Sequence, residues 1–236
     1  MLNSIFGKKT AAPVQQQQKN LKTVQVPIDY DDTPIEPSDL FKIVIVLDES
    51  GSMSDIRNDM IKAINSLIKE QKEVEGQTAL FSLVKFNNKI NRVVENKELN
   101  DVKELTRDDY VPSATTALYD ALGVTIRRFR NEKNVLIVVV TDGADNASQK
   151  YKQSDIKEML EEKQKNEDNK WSYVYLSNDI TTSRQADSIG LRTSRYCTKK
   201  VMRKGGHGRY ISKNINDAVK NYRQSGVSVQ AQLNAD

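Results

Sequence analysis

Short apolar runs separated by polar turns recur along the chain from residue 41 onwards. Phe41–Leu47 and Val135–Thr141 are nearly continuous β-branched runs, which are typical of strands buried on both faces. Four further runs also have the length and composition of strands: Thr78–Phe86, Ile90–Glu95, Trp171–Leu176 and Leu191–Tyr196. The pattern therefore predicts six strands.

Between these strands, apolar residues recur at helical spacing. One predicted helix face consists of Ile56, Met60, Ile64, Leu67, Ile68 and Val74, and a second consists of Leu118, Ala121, Leu122, Thr125, Ile126 and Phe129. A more polar helix carries Ile156, Met159 and Leu160, and a closing helix carries Ile215, Val219 and Tyr222. Alternating strands and helices predict a Rossmann-like, doubly wound α/β fold with a mostly parallel six-stranded sheet flanked by helices.

The two ends of the chain differ in composition from the middle. Residues 1–38 hold a Gln15–Gln18 run and four of the five prolines, with basic charge before Asp29 and mainly acidic charge after it. This composition predicts a flexible arm at 1–38, a folded domain at 39–225 and a tail at 226–236. Alternating apolar residues at 24–28 and 227–233 leave open that either end adds a strand to a sheet edge.

The overall counts exclude several classes of protein. Lys and Arg number 36 against 32 acidic residues, so the net charge of +4 does not by itself indicate a nucleic-acid partner. One cysteine rules out an internal disulfide and favours a reducing compartment. The longest apolar run has strand length, and the N-terminus has no apolar signal region. We therefore expect a cytoplasmic protein without membrane insertion.

Polar side chains collect where two of the predicted strands end. Asp48, Ser50 and Ser52 follow the first strand, Asp142 follows the Val135–Thr141 strand, and Thr115-Thr116 opens the helix between them. Ligands of doubly wound sheets bind at the carboxyl ends of strands. Because the cluster offers only oxygen atoms, it favours a hard divalent cation, Mg²⁺ first and then Mn²⁺ or Ca²⁺.

This arrangement resembles a von Willebrand factor type A domain, and the cluster resembles its metal-ion-dependent adhesion site. The family's Asp-x-Ser-x-Ser motif matches Asp48, Ser50 and Ser52, its threonine falls best on Thr116, and its second aspartate falls on Asp142. The resemblance implies hydroxyl ligands from the two serines and the threonine. It further implies that the aspartates bind directly or through water, and that a carboxylate of a partner protein completes the coordination. The family often has glycine before the threonine, where this chain has Ala114-Thr115, so Thr115 remains the alternative.

Four neighbours of the cluster receive other roles. Asp55 is assigned to capping the first helix and Glu49 to the rim of the site. Asp145 and Asn146 are interpreted as turn formers, with contact to the metal or its waters as the alternative.

Basic residues are concentrated near the C-terminus, without an intervening acid, at Lys199, Lys200, Arg203, Lys204, Arg209 and Lys213. A solvated loop is the default interpretation. The alternative is a patch that contacts an anionic partner, either nucleic acid or an acidic protein face. The lone histidine, His207, lies in the same loop and is interpreted as solvated.

We expect a binding protein and not an enzyme. Ser50 stands where a phosphatase-type Asp-x-Asp loop needs a second acid, and neither a Gly-x-Ser-x-Gly elbow nor a glycine-rich phosphate loop occurs. The leading hypothesis is a metal-dependent protein-protein binding module, in which a partner offers an acidic residue to the metal. The alternative is a scaffold subunit, for example of a phage or virus particle, that self-assembles through its arms around a purely structural metal. That alternative would place the protein in the virion.

Overall fold

The computed structural model describes residues 31–74, 78–165, 167–177 and 180–190, together with 213, 216–217, 219–220 and 222–223. Five strands are present in this part of the chain: β1 (Phe41–Asp48), β2 (Ala79–Phe86), β3 (Ile90–Glu98), β4 (Val135–Val140) and β5 (Trp171–Leu176). The helices are α1 (Arg57–Lys72), α2 (Leu118–Arg128), α3 (Gln153–Lys165) and α4 (Ile180–Ser188). Short 3₁₀ helices occupy Gly51–Ile56, Leu99–Asp101 and Glu167–Asn169.

The strands form one sheet in the order β3-β2-β1-β4-β5. β1 pairs in parallel with β2 on one side and β4 on the other, β4 pairs in parallel with β5, and β3 is antiparallel to β2. The doubly wound, mostly parallel α/β fold predicted from the sequence is therefore confirmed. The expected sixth strand, Leu191–Tyr196, lies outside the described residues.

The central strand β1 separates two apolar layers. Ile43, Ile45 and Leu47 pack on the side of α1, whereas Val44 and Val46 pack on the side of α2, α3 and α4. This alternation explains why the sequence of β1 is apolar at nearly every position, since both faces of the strand are buried. The residues described between 213 and 223 are helical, and Val219 and Tyr222 join the layer of α1.

One local prediction was wrong, and one helix was missed. Asp55 does not cap α1, because the chain first makes a 3₁₀ turn through Gly51–Ile56 and α1 then begins without a side-chain capping bond. The helix α4 was not predicted, because its sequence, Ile-Thr-Thr-Ser-Arg-Gln-Ala-Asp-Ser, has little apolar periodicity. The buried residues Ala186 and Ile189, three positions apart, are the only weak signal for it among the residues whose side chains are described.

The end of the predicted arm, residues 31–38, lies against the domain. Ile35 donates its backbone N–H to the carbonyl of Arg128 at 3.1 Å and packs on the layer of α2. Beside it, the buried Lys42 Nζ lies 2.5 Å from Glu132 Oε2, which also accepts the Ser38 N–H at 3.0 Å. Residues 31–38 are thus attached to the domain through specific contacts.

Candidate metal centre

The polar cluster lies at the switch point of the sheet. From β1 the chain proceeds to β2 on one side, and later places β4 on the other side. Loops that leave the carboxyl ends of two such neighbouring strands diverge and leave a crevice between them. Asp48 is the last residue of β1, and Asp142 follows β4 by two residues, so both carboxylates lie at this crevice.

Asp48 is buried and held by two donors. Its Oδ1 accepts the Ser50 N–H at 2.7 Å, and its Oδ2 accepts the Thr141 hydroxyl at 2.5 Å. Burial raises the pKa of Asp48 to about 6 in spite of these hydrogen bonds, and the negative charge of Asp142 adds to the rise. The protein therefore places an energetically costly carboxylate at a fixed position, which a nearby cation would stabilise.

The two serines connect Asp48 to Asp142. Ser50 Oγ lies 3.1 Å from Ser52 Oγ, and Ser52 Oγ donates a hydrogen bond of 2.6 Å to Asp142 Oδ1. Ser50 has an extended backbone, and Ser52 lies in the first turn of the 3₁₀ helix that begins at Gly51. The structure thus brings together the four residues that the sequence places on two separate loops.

Thr116, and not Thr115, faces this group. Thr116 is 3% exposed, whereas Thr115 is exposed to solvent. A Cβ atom built on Gly143 would lie 3.2 Å from Thr116 Oγ1 and 3.9 Å from Asp48 Oδ2, so the threonine hydroxyl and the carboxylate flank the same glycine. This geometry favours Thr116 as the third hydroxyl of the candidate site.

Ala114 forms the turn that delivers Thr116. Its φ of +62° lies in the left-handed region, which glycine adopts freely and alanine does not. Its carbonyl accepts the Gly51 N–H at 3.0 Å, which ties this turn to the serine loop. Ala114 therefore adopts a backbone conformation that normally favours glycine.

Asp145 and Asn146 contact the start of α2. Asn146 Oδ1 accepts the Thr116 N–H at 2.8 Å, and Asp145 Oδ1 accepts the Tyr119 N–H at 3.2 Å. In return, the carbonyl of Thr116 accepts the backbone N–H groups of Asn146 and Ala147. These side chains cap the open N–H groups of a helix start, and they do so from the loop that carries Asp142.

Asp120 strengthens the same connection from the helix side. Its buried carboxylate accepts three backbone N–H groups, from Gln149 at 2.8 Å, Lys150 at 2.9 Å and Tyr151 at 2.8 Å. The loop after β4 and the first turns of α2 therefore hold each other in place. As a result, Thr116 and Asp142 belong to one hydrogen-bonded unit.

Three supporting residues were not foreseen from the sequence. They are Thr141, which binds Asp48, the buried Tyr110, whose hydroxyl donates to the Asp48 carbonyl at 2.6 Å, and Lys85, which pairs with Glu49 at 2.7 Å. The assignment of Glu49 to the rim was wrong, because this residue is only 8% exposed. Lys85, which interrupts the apolar run of β2, was the sequence signal for this pair, since a buried cation requires a buried partner.

The donor set fits a divalent cation. Two carboxylates and three hydroxyls are oxygen ligands of the kind that Mg²⁺ and Mn²⁺ prefer. Within the described part of the chain, no three His, Cys, Asp or Glu side chains cluster as a metal site. A cation at the crevice would consequently depend on the hydroxyls of Ser50, Ser52 and Thr116 beside the two aspartates.

The predicted basic patch cannot be placed beside this site. Lys199, Lys200, Arg203, Lys204 and Arg209 lie outside the described residues, as does His207. Lys213 is helical and exposed. The anion-contact hypothesis therefore stays a prediction.

Comparison with known sequences identifies the family. The von Willebrand factor type A domain model matches residues 42–190, more than half of the chain, so the chain belongs to this family. No curated protein matches the sequence. Among the described helices, none combines the length and apolar character needed to cross a membrane.

Solved structures with this fold come from diverse sources. The PilB minor pilin of Streptococcus sanguinis, as its D319A mutant, aligns with a TM-score of 0.56 and 14% identity over 81% of this chain and 63% of that one. Proximal thread matrix protein 1 from the mussel byssus aligns with a TM-score of 0.54 and 17% identity, over 80% of this chain and 46% of that one. A von Willebrand factor type A protein from Catenulispora acidiphila aligns with a TM-score of 0.53 and 15% identity, over 76% of this chain and 42% of that one. The chain thus spans less than two thirds of each of these structures, and the likeness concerns the fold.

Proposed function

We propose that this chain is a metal-dependent protein-binding module. Asp48, Ser50, Ser52, Thr116 and Asp142 hold a divalent cation, Mg²⁺ or alternatively Mn²⁺ or Ca²⁺, and a carboxylate of a partner protein completes its coordination. The observation that carries this proposal is the hydrogen bond of 2.6 Å between Ser52 Oγ and Asp142 Oδ1, since it joins the two loops at the buried Asp48.

The chemistry of the donors supports an external carboxylate. Two aspartates neutralise a divalent cation only formally, and neutral hydroxyls add no charge, so the ion keeps affinity for a further anionic oxygen. Ser52 is exposed, whereas Asp48 is fully buried, so the open side of the site faces solvent beyond Ser52. A partner's glutamate or aspartate is the expected group there, and binding needs no bond-making chemistry from this chain.

Mn²⁺ titration followed by electron paramagnetic resonance tests the metal site. We expect one Mn²⁺ per chain, competed by Mg²⁺, and a large loss of affinity in Asp48→Ala. Ser52→Ala is a milder second variant, because Ser52 is exposed and its loss does not threaten the fold. Asp55→Ala is the matched control, since Asp55 is an exposed carboxylate on the same loop. Unchanged Mn²⁺ binding in both Asp48→Ala and Ser52→Ala would refute the assignment.

Water proton relaxation tests the partner carboxylate. Bound Mn²⁺ enhances relaxation through its exchangeable water, so a ligand that displaces this water lowers the enhancement. We expect the capped tripeptide acetyl-Gly-Glu-Gly-amide to lower it and acetyl-Gly-Gln-Gly-amide, which carries no carboxylate, to leave it unchanged. Equal effects of both peptides would show that the ion is structural, which is the scaffold hypothesis.

The scaffold hypothesis has one observation in its favour. The last residues of the predicted arm, from Asp31 onwards, make specific contacts with the domain surface. An arm that recognises this domain is one requirement for assembly through arms. The relaxation experiment separates this function from the binding module, because only the binding module needs an open coordination position.

A further inference from the structure

A basic surface on the side of the domain is occupied by an acidic segment of the same chain. We define the basic surface as Arg92 in β3, Arg127 and Arg128 in the last turn of α2, Arg130 just after it, and Lys150 before α3. The acidic segment is Asp31–Ile35. None of these residues belongs to the predicted C-terminal basic patch, and the surface was not foreseen from the sequence.

Asp32 receives the largest number of contacts. Its Oδ2 lies 2.9 Å from Arg127 Nε and 3.1 Å from Lys150 Nζ, and it accepts the Tyr151 hydroxyl at 3.1 Å. The carbonyl of Asp32 also accepts a hydrogen bond of 2.8 Å from Arg130. Side chain and backbone of one residue are thus both recognised.

Asp31 and Thr33 bind the remaining part of the surface. Asp31 Oδ2 lies 3.0 Å from a guanidinium nitrogen of Arg128, and the same nitrogen donates to the Thr33 carbonyl at 2.7 Å. Arg92 donates to the carbonyl of Asp31. Arg128 is further oriented by two bonds of 2.8 Å to the Glu95 carboxylate. The surface therefore binds both the acidic side chains and the backbone carbonyls of a segment with two consecutive aspartates.

These contacts are well directed but individually weak. The Arg127 side chain is 46% exposed and the Asp31 side chain 49% exposed, and ion pairs between such exposed groups contribute little because water and salt screen them. By contrast, the segment is firmly fixed at Ser38 by the buried Lys42–Glu132 pair. The exposed Glu36 and Pro37 lie between the two regions and form a natural pivot.

The segment is long enough to reach a neighbouring molecule. Asp31 and Pro37 are six positions apart, and an extended chain of this length spans about 20 Å. Exchange of an identical element between copies forms dimers at low cost, because every contact is reproduced. This chain's own segment is also the one sequence that the structure shows to fit the surface.

We propose that the basic surface is a docking site for the Asp31–Ile35 segment of a second copy of this chain, so that copies associate by exchanging the segment. Within one molecule the segment competes for the site at an effective concentration in the millimolar range. The exchange is therefore suppressed in dilute solution, and it increases with protein concentration. The inference is independent of the metal site.

Two complementary full-length variants test this proposal. The first variant, Asp31→Lys/Asp32→Lys, has the native basic surface and a segment that this surface repels. The second variant, Arg127→Glu/Lys150→Glu, has the native acidic segment and a surface that repels it. Both are measured in chelator, by sedimentation velocity, alone and as an equimolar mixture. We expect monomers for each variant alone and a one-to-one complex in the mixture, at least about tenfold tighter than wild-type self-association and weakened in 0.5 M NaCl.

A triple variant, Asp32→Lys/Arg127→Glu/Lys150→Glu, is the matched control, because it exchanges the charges of Asp32 and of the two cations that pair with it and leaves the Asp31–Arg128 pair in place. Its segment should dock in its own molecule again, and the chain should remain monomeric with either double variant. Two species at monomer mass in the mixture, at 200 μM, would overturn the proposal. If Arg127→Glu/Lys150→Glu does not fold, a synthetic peptide of residues 31–38 takes its place. Failure of this peptide to bind Asp31→Lys/Asp32→Lys would equally overturn it.

Discussion

Lys85 Nζ and Glu49 Oε1 form an ion pair of 2.7 Å directly behind the candidate metal loop, with side chains only 8% and 11% exposed. Glu49 Oε1 also accepts the Val111 N–H at 2.6 Å, and Lys85 donates to the carbonyl of Asp109. The pair therefore attaches the loop that leads to Thr116 to the loop that carries Asp48. It also supplies a cation for a third carboxylate that stands within the Asp-x-Ser-x-Ser motif.

Lys85→Met should lower the free energy of unfolding by about 3 kcal/mol, because it leaves Glu49 buried without its cation. Urea denaturation measures this loss. Adding Glu49→Gln to Lys85→Met should recover part of it, since the uncompensated charge disappears. Lys157→Met is the control for a lysine that pairs at the surface, with Glu161 at 3.9 Å, and it should change stability by less than about 0.5 kcal/mol. Equal effects of the two lysine substitutions would contradict the role of the pair.

Thr141→Val should weaken Mn²⁺ binding about tenfold or more, because it removes the hydroxyl that orients Asp48 Oδ2 while conserving shape. Thr125→Val is a matched control. Thr125 is equally buried, but its hydroxyl bonds the Ala121 carbonyl of its own helix. Calorimetric titration with Mn²⁺ should show weaker binding in Thr141→Val and unchanged binding in Thr125→Val. A similar loss in Thr125→Val would mean that general destabilisation, and not orientation of Asp48, is being measured.

Ala114→Gly should stabilise the protein by about 0.5 kcal/mol. Glycine removes the strain of a φ of +62°, although it also increases the freedom of the unfolded chain. Thermal unfolding measures the net change. A clear destabilisation would show that the methyl group of Ala114 makes contacts that outweigh its backbone strain.

Gly123→Ala should destabilise the protein by about 1–3 kcal/mol, although alanine is the better helix former. A Cβ atom at this position of α2 would lie 2.4 Å from the ring of Tyr151. In a Tyr151→Ala background the same substitution should be neutral or stabilising, since the obstacle is gone. Urea denaturation of the wild type, the two single variants and the double variant measures the coupling between the two positions. Additive changes in the free energy of unfolding would exclude the clash.

Docking of the acidic segment should be lost only in strong acid. Hydrogen bonds from Thr33 lower the pKa of Asp31, and burial of Asp32 is outweighed by its bonds to Lys150 and Tyr151, which lower its pKa as well. Because both folded-state pKa values lie below the ordinary 3.8, the stabilisation is complete above that pH and disappears as the pH falls below it. The NMR signal of the Ile35 amide should shift with a midpoint below pH 3.8. Asp31→Asn/Asp32→Asn should abolish the transition, and a midpoint above 3.8 would contradict the docking contacts.

The fold followed from the sequence where burial leaves a regular pattern. β1 and β4 are buried on both faces, so their composition alone identified them, and α1 and α2 show a continuous apolar face. α4 escaped prediction because short polar helices are held by tertiary packing and not by their own periodicity. Asp31–Ile35 was interpreted as an arm for a related reason, since an acidic, proline-rich segment carries no local sign of the distant arginines that bind it.

The candidate site was predictable in its ligands but not in its supports. Asp48, Ser50 and Ser52 form a local motif, whereas Thr141 and Tyr110 reach Asp48 from other loops. Such contacts depend on which loops meet at the crevice, and sequence spacing does not encode this. Glu49 was misplaced because its partner lies 36 positions away in β2.

The helix α2 separates the candidate metal site from the basic surface. It begins two residues after Thr116 and ends at Arg128, and its 11 residues extend about 17 Å. A partner bound beyond Ser52 therefore leaves the far end of the helix uncovered, where a second copy of the chain would attach. Joined in this way, copies would present several cation sites to one target, and weak single contacts would add up to durable attachment through avidity.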